Sequence, residues 1–225
     1  MNRYNDTTSS MQDNKLKISR RHFVSSSAIA PLALGAAGSL FAGTAAADVM
    51  EILEDDKVMG DQTAPLGIVE YASLTCGHCA NFHNNTLPKL EEDFINSGKA
   101  YLVYRNFPLD QFAFQASVLA HTAGDKLFFP VLKLLFKEQG TWTSAEDITE
   151  ALTAIGRKVG ISKAKFEDAL KDEKLGERIL MDRMVGSNEY GVSATPTLFI
   201  NGELYQGDWA DYEAFSGDLQ NMISA

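Results

Sequence analysis

The chain has 225 residues, 45% hydrophobic, 10% aromatic and 22% charged, with 17 glycines and 6 prolines. Those fractions belong to a globular protein and exclude collagen-like, coiled-coil and disordered readings of the bulk. The formal net charge is −10, and residues 48–225 carry 28 acidic against 15 basic side chains, a surface that repels phosphate backbones and argues against a nucleic-acid partner.

Residues 1–47 read as an address. A polar stretch leads into Ser19-Arg20-Arg21-His22-Phe23-Val24, then a mildly apolar run from Ala28 to Ala42, then Thr44-Ala45-Ala46-Ala47. This is the order of a secretory signal cut after Ala47. The paired arginines with an aromatic two residues later resemble a bacterial twin-arginine signal. An uncleaved anchor is the alternative, but the apolar run falls short of the ~20 residues that span a bilayer. The expectation is export to the periplasm, an oxidising compartment where a disulfide persists. The mature chain, residues 48–225, is long enough for one well-buried domain.

Along that chain, Leu66–Ala72 reads as a short buried strand ended by Ser73. A helical pattern follows from about Gly77 to Asn96, with Phe82, Leu90 and Phe94 on its apolar face and a kink expected at Pro88. Residues 99–107 form a second strand, completing a βαβ unit. The next stretch is helical throughout. Phe112, Ala116, Leu119 and Ala120 line one stripe, and Leu127, Val131, Leu134 and Leu135 another. Thr143 and Glu146 look like a capping box, Ser162 caps a further helix, and Leu175 to Tyr190 gives the last long one. Strand structure resumes at Thr197–Ile200, and Asn201-Gly202 signals a hairpin with Glu203–Tyr205 as the return. Asp208 is expected to cap a final helix carrying Trp209, Tyr212, Phe215 and Leu219. The order βαβ, helices, ββα predicts an α/β thioredoxin fold with an inserted helical subdomain. Its parts fall at 48–108, 109–186 and 187–225.

Both cysteines lie in one tetrapeptide, Cys76-Gly77-His78-Cys79, between a strand and a helix. At a helix N-terminus, unpaired N–H groups and the helix dipole favour a thiolate at Cys76, and a protonated His78 would favour it further. Stabilising the thiolate stabilises the reduced form alone, so the disulfide becomes a better oxidant. Three blander readings stand beside redox chemistry. A structural disulfide gains least from so short a loop. A metal site could recruit Cys76, Cys79, His78 and His83, but a second ligand cluster is missing. Inert buried thiols fit the strand-to-helix position poorly. His83 and His121 read as helix-surface or core-edge histidines.

Val69-Glu70-Tyr71, the Cys76–Cys79 tetrapeptide and, much later, Ala194-Thr195-Pro196-Thr197 resemble the DsbA-like thioredoxin-fold proteins of bacterial envelopes. That resemblance implies an exposed nucleophile at Cys76, a buried resolving thiol at Cys79 and a cis-proline at Pro196. The Thr195 backbone would then be free to pair with an extended substrate. It also implies that Glu70, a charge in an apolar strand, exchanges protons with Cys79. No cofactor beyond the Cys76–Cys79 disulfide is implied. The implied partners are reduced or misoxidised exported proteins and a membrane redox protein that resets the site. Gly77-His78 and Thr195 are shared with disulfide isomerases, so isomerase stands beside oxidase. Residues 48–65 are too few for a dimerisation domain, which predicts a monomer.

Overall fold

A computed structural model describes residues 49–224. The export signal and its cleavage after Ala47 lie outside the described residues. Five strands form one sheet in the order β1-β3-β2-β4-β5. They are β1 (Lys57–Gly60), β2 (Leu66–Ala72), β3 (Ala100–Asn106), β4 (Thr197–Ile200) and β5 (Glu203–Leu204). β2 and β3 run parallel, and the other pairs are antiparallel. β1 has no counterpart in the sequence reading, because Lys-Val-Met-Gly is too short and too mixed to declare an edge strand.

A helical run over residues 77–95, α1, connects β2 to β3. It alternates α-helical turns (Gly77–Asn81, Leu87–Leu90) with π-helical ones (Phe82–Thr86, Glu91–Ile95). Where a kink was expected at Pro88, the helix carries wider turns. The Leu87 N–H reaches back five residues to Phe82 O, so the helix changes register just before the residue that has no N–H to give. Six helices separate β3 from β4: α2 (Gln111–Thr122), α3 (Asp125–Lys137), α4 (Gln139–Trp142), α5 (Ile148–Lys158), α6 (Lys163–Ala169) and α7 (Glu173–Asn188). α8 (Tyr212–Ser224) closes the fold.

Two cap assignments change. α5 begins at Ile148 and is capped by Asp147, which accepts from the Glu150 N–H, while the Thr143 hydroxyl donates back to Gln139 O. Asp211, not Asp208, accepts from the first N–H groups of α8; Asp208 holds the preceding turn. In both places a nearer carboxylate outcompetes the residue picked from spacing. Ser162 caps α6 as expected, accepting from the Lys165 N–H. Phe112 and Leu127 leave their predicted stripes, being 45% and 43% exposed in the first turns of α2 and α3. The hairpin forms on Asn201 (φ 48°) and Gly202 (φ 91°), the paired left-handed conformations of a type I′ turn.

Every residue of β2 is buried. Its period-two alternation sends Leu66 and Ile68 toward α1 and α8, and Val69 and Tyr71 into a second core with Val103 and Phe199. On that second side Gly186 lets α7 approach, since a Cβ there would meet the Tyr71 ring at 2.6 Å. Glu70 shares parity with Leu66 and Ile68, so this carboxylate lies on the α1 face. Its parallel neighbour in register is Tyr104 of β3. A third core joins Ala72, Cys79 and Tyr104 to the helices of the insertion. Among the described residues no helix is long and apolar enough to cross a membrane.

Candidate active site

Ser73 ends β2 and organises the turn that follows. Its hydroxyl accepts from the N–H groups of Thr75 and Leu109, and its carbonyl accepts from the Cys76 N–H. The insertion then clamps the turn from outside. The Gln139 amide donates to the carbonyls of Leu74 (2.8 Å) and Cys76 (3.0 Å), and the Thr75 hydroxyl donates to Asp110 at 2.7 Å. Gln139 and Asp110 carry no local signal in the sequence; only the packing of α2 and α4 brings them here.

Cys76 is the N-cap of α1, with extended backbone at φ −80°, ψ 122°. Its sulfur accepts from the Cys79 N–H at 3.4 Å, the position a serine or aspartate oxygen takes at other helix starts. Across the chain, the Thr195–Pro196 bond is cis. The Thr195 carbonyl lies 3.2 Å from Cys76 Sγ, which donates to it when protonated.

The two thiols have opposite acidities. The hydrogen bond from the Cys79 thiol is the largest influence on Cys76. With the Thr195 hydroxyl and the N–H groups of Cys79 and His78 it outweighs burial and holds Cys76 at about 5. The Thr195 hydroxyl is buried and makes no hydrogen bond of normal geometry, so it acts on Cys76 as a nearby donor. Cys79 is fully buried, and burial, the Cys76 hydrogen bond and the charge of Glu70 push its thiol far above the ordinary range. His78 is exposed. Its backbone N–H is among the donors that lower Cys76. Gly77 is exposed, with nothing within 4 Å of where a Cβ would stand.

Behind Cys79, both carboxylate oxygens of Glu70 lie against Nε2 of His83, at 3.1 and 3.0 Å. His83 is 2% exposed and stacks on Phe136 with 4.1 Å between ring centroids. The sequence reading placed His83 on a helix surface or core edge. The structure corrects this, because a carboxylate inside an apolar sheet needs a partner and His83 supplies it. The signal was present: His83 is four residues beyond Cys79, one turn along the same helix face. The Tyr104 hydroxyl completes the buried cluster. It has no hydrogen-bond partner, and burial followed by the charges of Glu70 and Cys79 raises it well above its ordinary value. His121 is a core-edge residue beside Asn106, its ring pushed down to about 3 by burial.

Known proteins resemble this chain. The family described as thioredoxin matches residues 53–220. A Rickettsia bellii protein named as a protein-disulfide oxidoreductase is 31% identical over 68% of this chain and 59% of its own length. The chain therefore spans somewhat more than half of the curated relatives of that group. The crystal structure of Wolbachia pipientis alpha-DsbA1 superposes with a TM-score of 0.72 at 30% identity, covering 80% of this chain and 96% of the other. Bacillus subtilis BdbD, at 20% identity and a TM-score of 0.68 over 76% of this chain and 94% of its own, shares the fold. With the cysteine turn, the cis-proline and the helical insertion each in place on that sheet, the chain belongs to the thioredoxin family, in its DsbA-like group.

Proposed function

We propose that the chain is a thiol:disulfide oxidoreductase of the periplasm that donates the Cys76–Cys79 disulfide to thiols of exported proteins. One observation carries the reading: the half-buried thiol is held at about 5 while its neighbour is pushed far up. A substrate thiolate attacks Cys76 Sγ and breaks the Cys76–Cys79 bond, leaving a mixed disulfide and a Cys79 thiolate. That thiolate takes a proton passed on by Glu70. A second substrate thiolate then attacks the substrate sulfur of the mixed disulfide. It expels Cys76 as a stable thiolate, and two electrons have passed from substrate to enzyme. The Thr195 backbone, turned toward Cys76 by cis Pro196, pairs with the extended substrate segment, and the N–H groups after Gly77 and His78 steady the leaving sulfur. No cofactor beyond the cysteine pair enters these steps. A membrane redox partner reverses them to restore the disulfide.

Isomerase or reductase action is the second reading, favoured by Gly77-His78 and Thr195. Thiol alkylation of freshly harvested cells separates the two: an oxidase is found with Cys76 and Cys79 joined, an isomerase with both free. Export through the twin-arginine route rests on residues 20–47. Arg20→Lys with Arg21→Lys is expected to leave unprocessed precursor in the cytoplasm, and normal processing would point to general secretion.

A further inference from the structure

Glu70 is fully buried, yet the exchange just described asks it to give up and regain a proton in each cycle. A carboxylate sealed in a sheet cannot trade protons with water directly, so some neighbour has to carry them. Among the described residues, the hydrogen bonds to its carboxylate come from His83 Nε2 alone. The His83 ring is held rigidly, stacked on Phe136 and set edge-on to Phe82 and Tyr104. His83 also lines a groove of about 380 Å³ with Asn84, Pro88, Lys133 and Lys137. The lining comes from α1 and α3, and none of it belongs to the Cys76 turn.

We propose that His83 is the proton conduit of the buried half of the site, joining Glu70 to water in the α1–α3 groove. As Cys79 leaves as a thiolate, Glu70 passes it the proton of His83 Nε2 and is a carboxylate again, while water in the groove returns a proton to the ring at Nδ1. When Cys79 attacks during reoxidation the same path runs in reverse. The net change is one proton moved between groove water and the Cys79 sulfur; only S–H, O–H and N–H bonds are made or broken. His83 acts through Glu70 and is a positioning and relay residue, whereas Cys76 and Cys79 are the catalytic pair. The titratable and charged groups around the ring are Glu70 from β2, Cys79 from α1, Tyr104 from β3, and Lys133 and Lys137 from α3.

The inference rests on the exchange chemistry proposed above, and one experiment tells the two apart. Reduced protein is mixed with oxidised glutathione and quenched at intervals. The glutathione mixed disulfide on Cys76 is followed separately from its resolution by Cys79. His83→Gln is expected to slow resolution on the order of tenfold, less than the loss of a direct acid or base. In His83→Gly, added imidazole is expected to restore the rate by diffusing into the groove. Resolution at the original rate in His83→Gln overturns the conduit, as does slow resolution in His83→Gly that imidazole leaves unchanged. A measurement on the unaltered protein guards against a folding defect: its resolution rate in mixtures of light and heavy water. Curved dependence on deuterium fraction is expected for protons moving in sequence, and a straight line overturns the relay. Failure of the unaltered protein to consume oxidised glutathione removes the exchange reading, and the conduit with it.

Discussion

The front and the rear of the same helical turn treat a sulfur in opposite ways. At the front, Cys76 is half-buried and meets donors: the Cys79 thiol, the Thr195 hydroxyl and backbone N–H groups. At the rear, Cys79 meets an apolar core and the negative field of Glu70. The two residues are three apart and chemically identical, so the difference comes from what the tertiary structure packs around each. Donors arranged before any reaction make one sulfur a good leaving group. A dry wall makes the other a thiol whose every departure or attack requires a proton transfer.

The largest effect should come from abolishing the rear sulfur. Cys79→Ser leaves the Cys76 nucleophile but no resolving thiol, so disulfide-linked adducts should accumulate and turnover fall on the order of a hundredfold or more. Non-reducing electrophoresis and mass spectrometry read the adducts. Undiminished turnover would mean the two sulfurs are not divided into these roles.

Glu70→Gln tests the rear field. Resolution by Cys79 is expected to slow about tenfold or more, while the pH profile of Cys76 alkylation scarcely moves. A profile shifted as far as the resolution rate would join the two regions into one.

The front predicts a pH window. In the reduced protein Cys76 should reach half its maximal alkylation rate near about 5. Its folded value lies below its unfolded one, so it contributes stability that is present above the unfolded value near 9 and lost as pH falls through about 5. The reduced form should therefore melt progressively higher from about pH 5 to about pH 9. The oxidised form lacks a titrating thiol and should not follow it. Parallel melting curves for the two forms would sink the donor account.

Thr195→Val sharpens the same side by removing one donor. A hydrogen bond worth about 1 kcal/mol corresponds to a rise of about 0.5 to 1 unit in the Cys76 value, readable by thiolate absorbance. The smallest effect belongs to Tyr104, whose hydroxyl is buried without a partner. Tyr104→Phe keeps the ring and relieves that hydroxyl, so thermal unfolding should show a gain of about 1 kcal/mol. A loss would reveal that the hydroxyl serves Glu70 or Cys79.

Much of this molecule was readable before any coordinates. The strands Leu66–Ala72 and Thr197–Ile200, the Asn201-Gly202 hairpin and the Ser162 cap follow from local chemistry: β-branched runs, left-handed turn residues, a hydroxyl before a helix. The cysteine spacing pointed to the site for the same reason, and the resemblance to DsbA-like proteins added Pro196. What escaped was set by competition or by distance. Asp147 and Asp211 displaced the predicted caps, Thr143 and Asp208, by lying four and three positions nearer the helices. β1 exists because β3 offers it an edge.

His83 shows the limit most clearly. Its spacing from Cys79 put it on the right helix face but did not name its partner. Its role depends on Glu70, thirteen residues earlier and on another element, being left with no water once the sheet and α1 close. The sequence by itself determined the element types, the reactive tetrapeptide and the presence of one charge in an apolar strand. The tertiary structure alone decided how far apart the two sulfurs are driven and which residue would answer the buried charge. Acidity and desolvation depend on everything within a few ångströms, and most of those atoms come from distant parts of the chain.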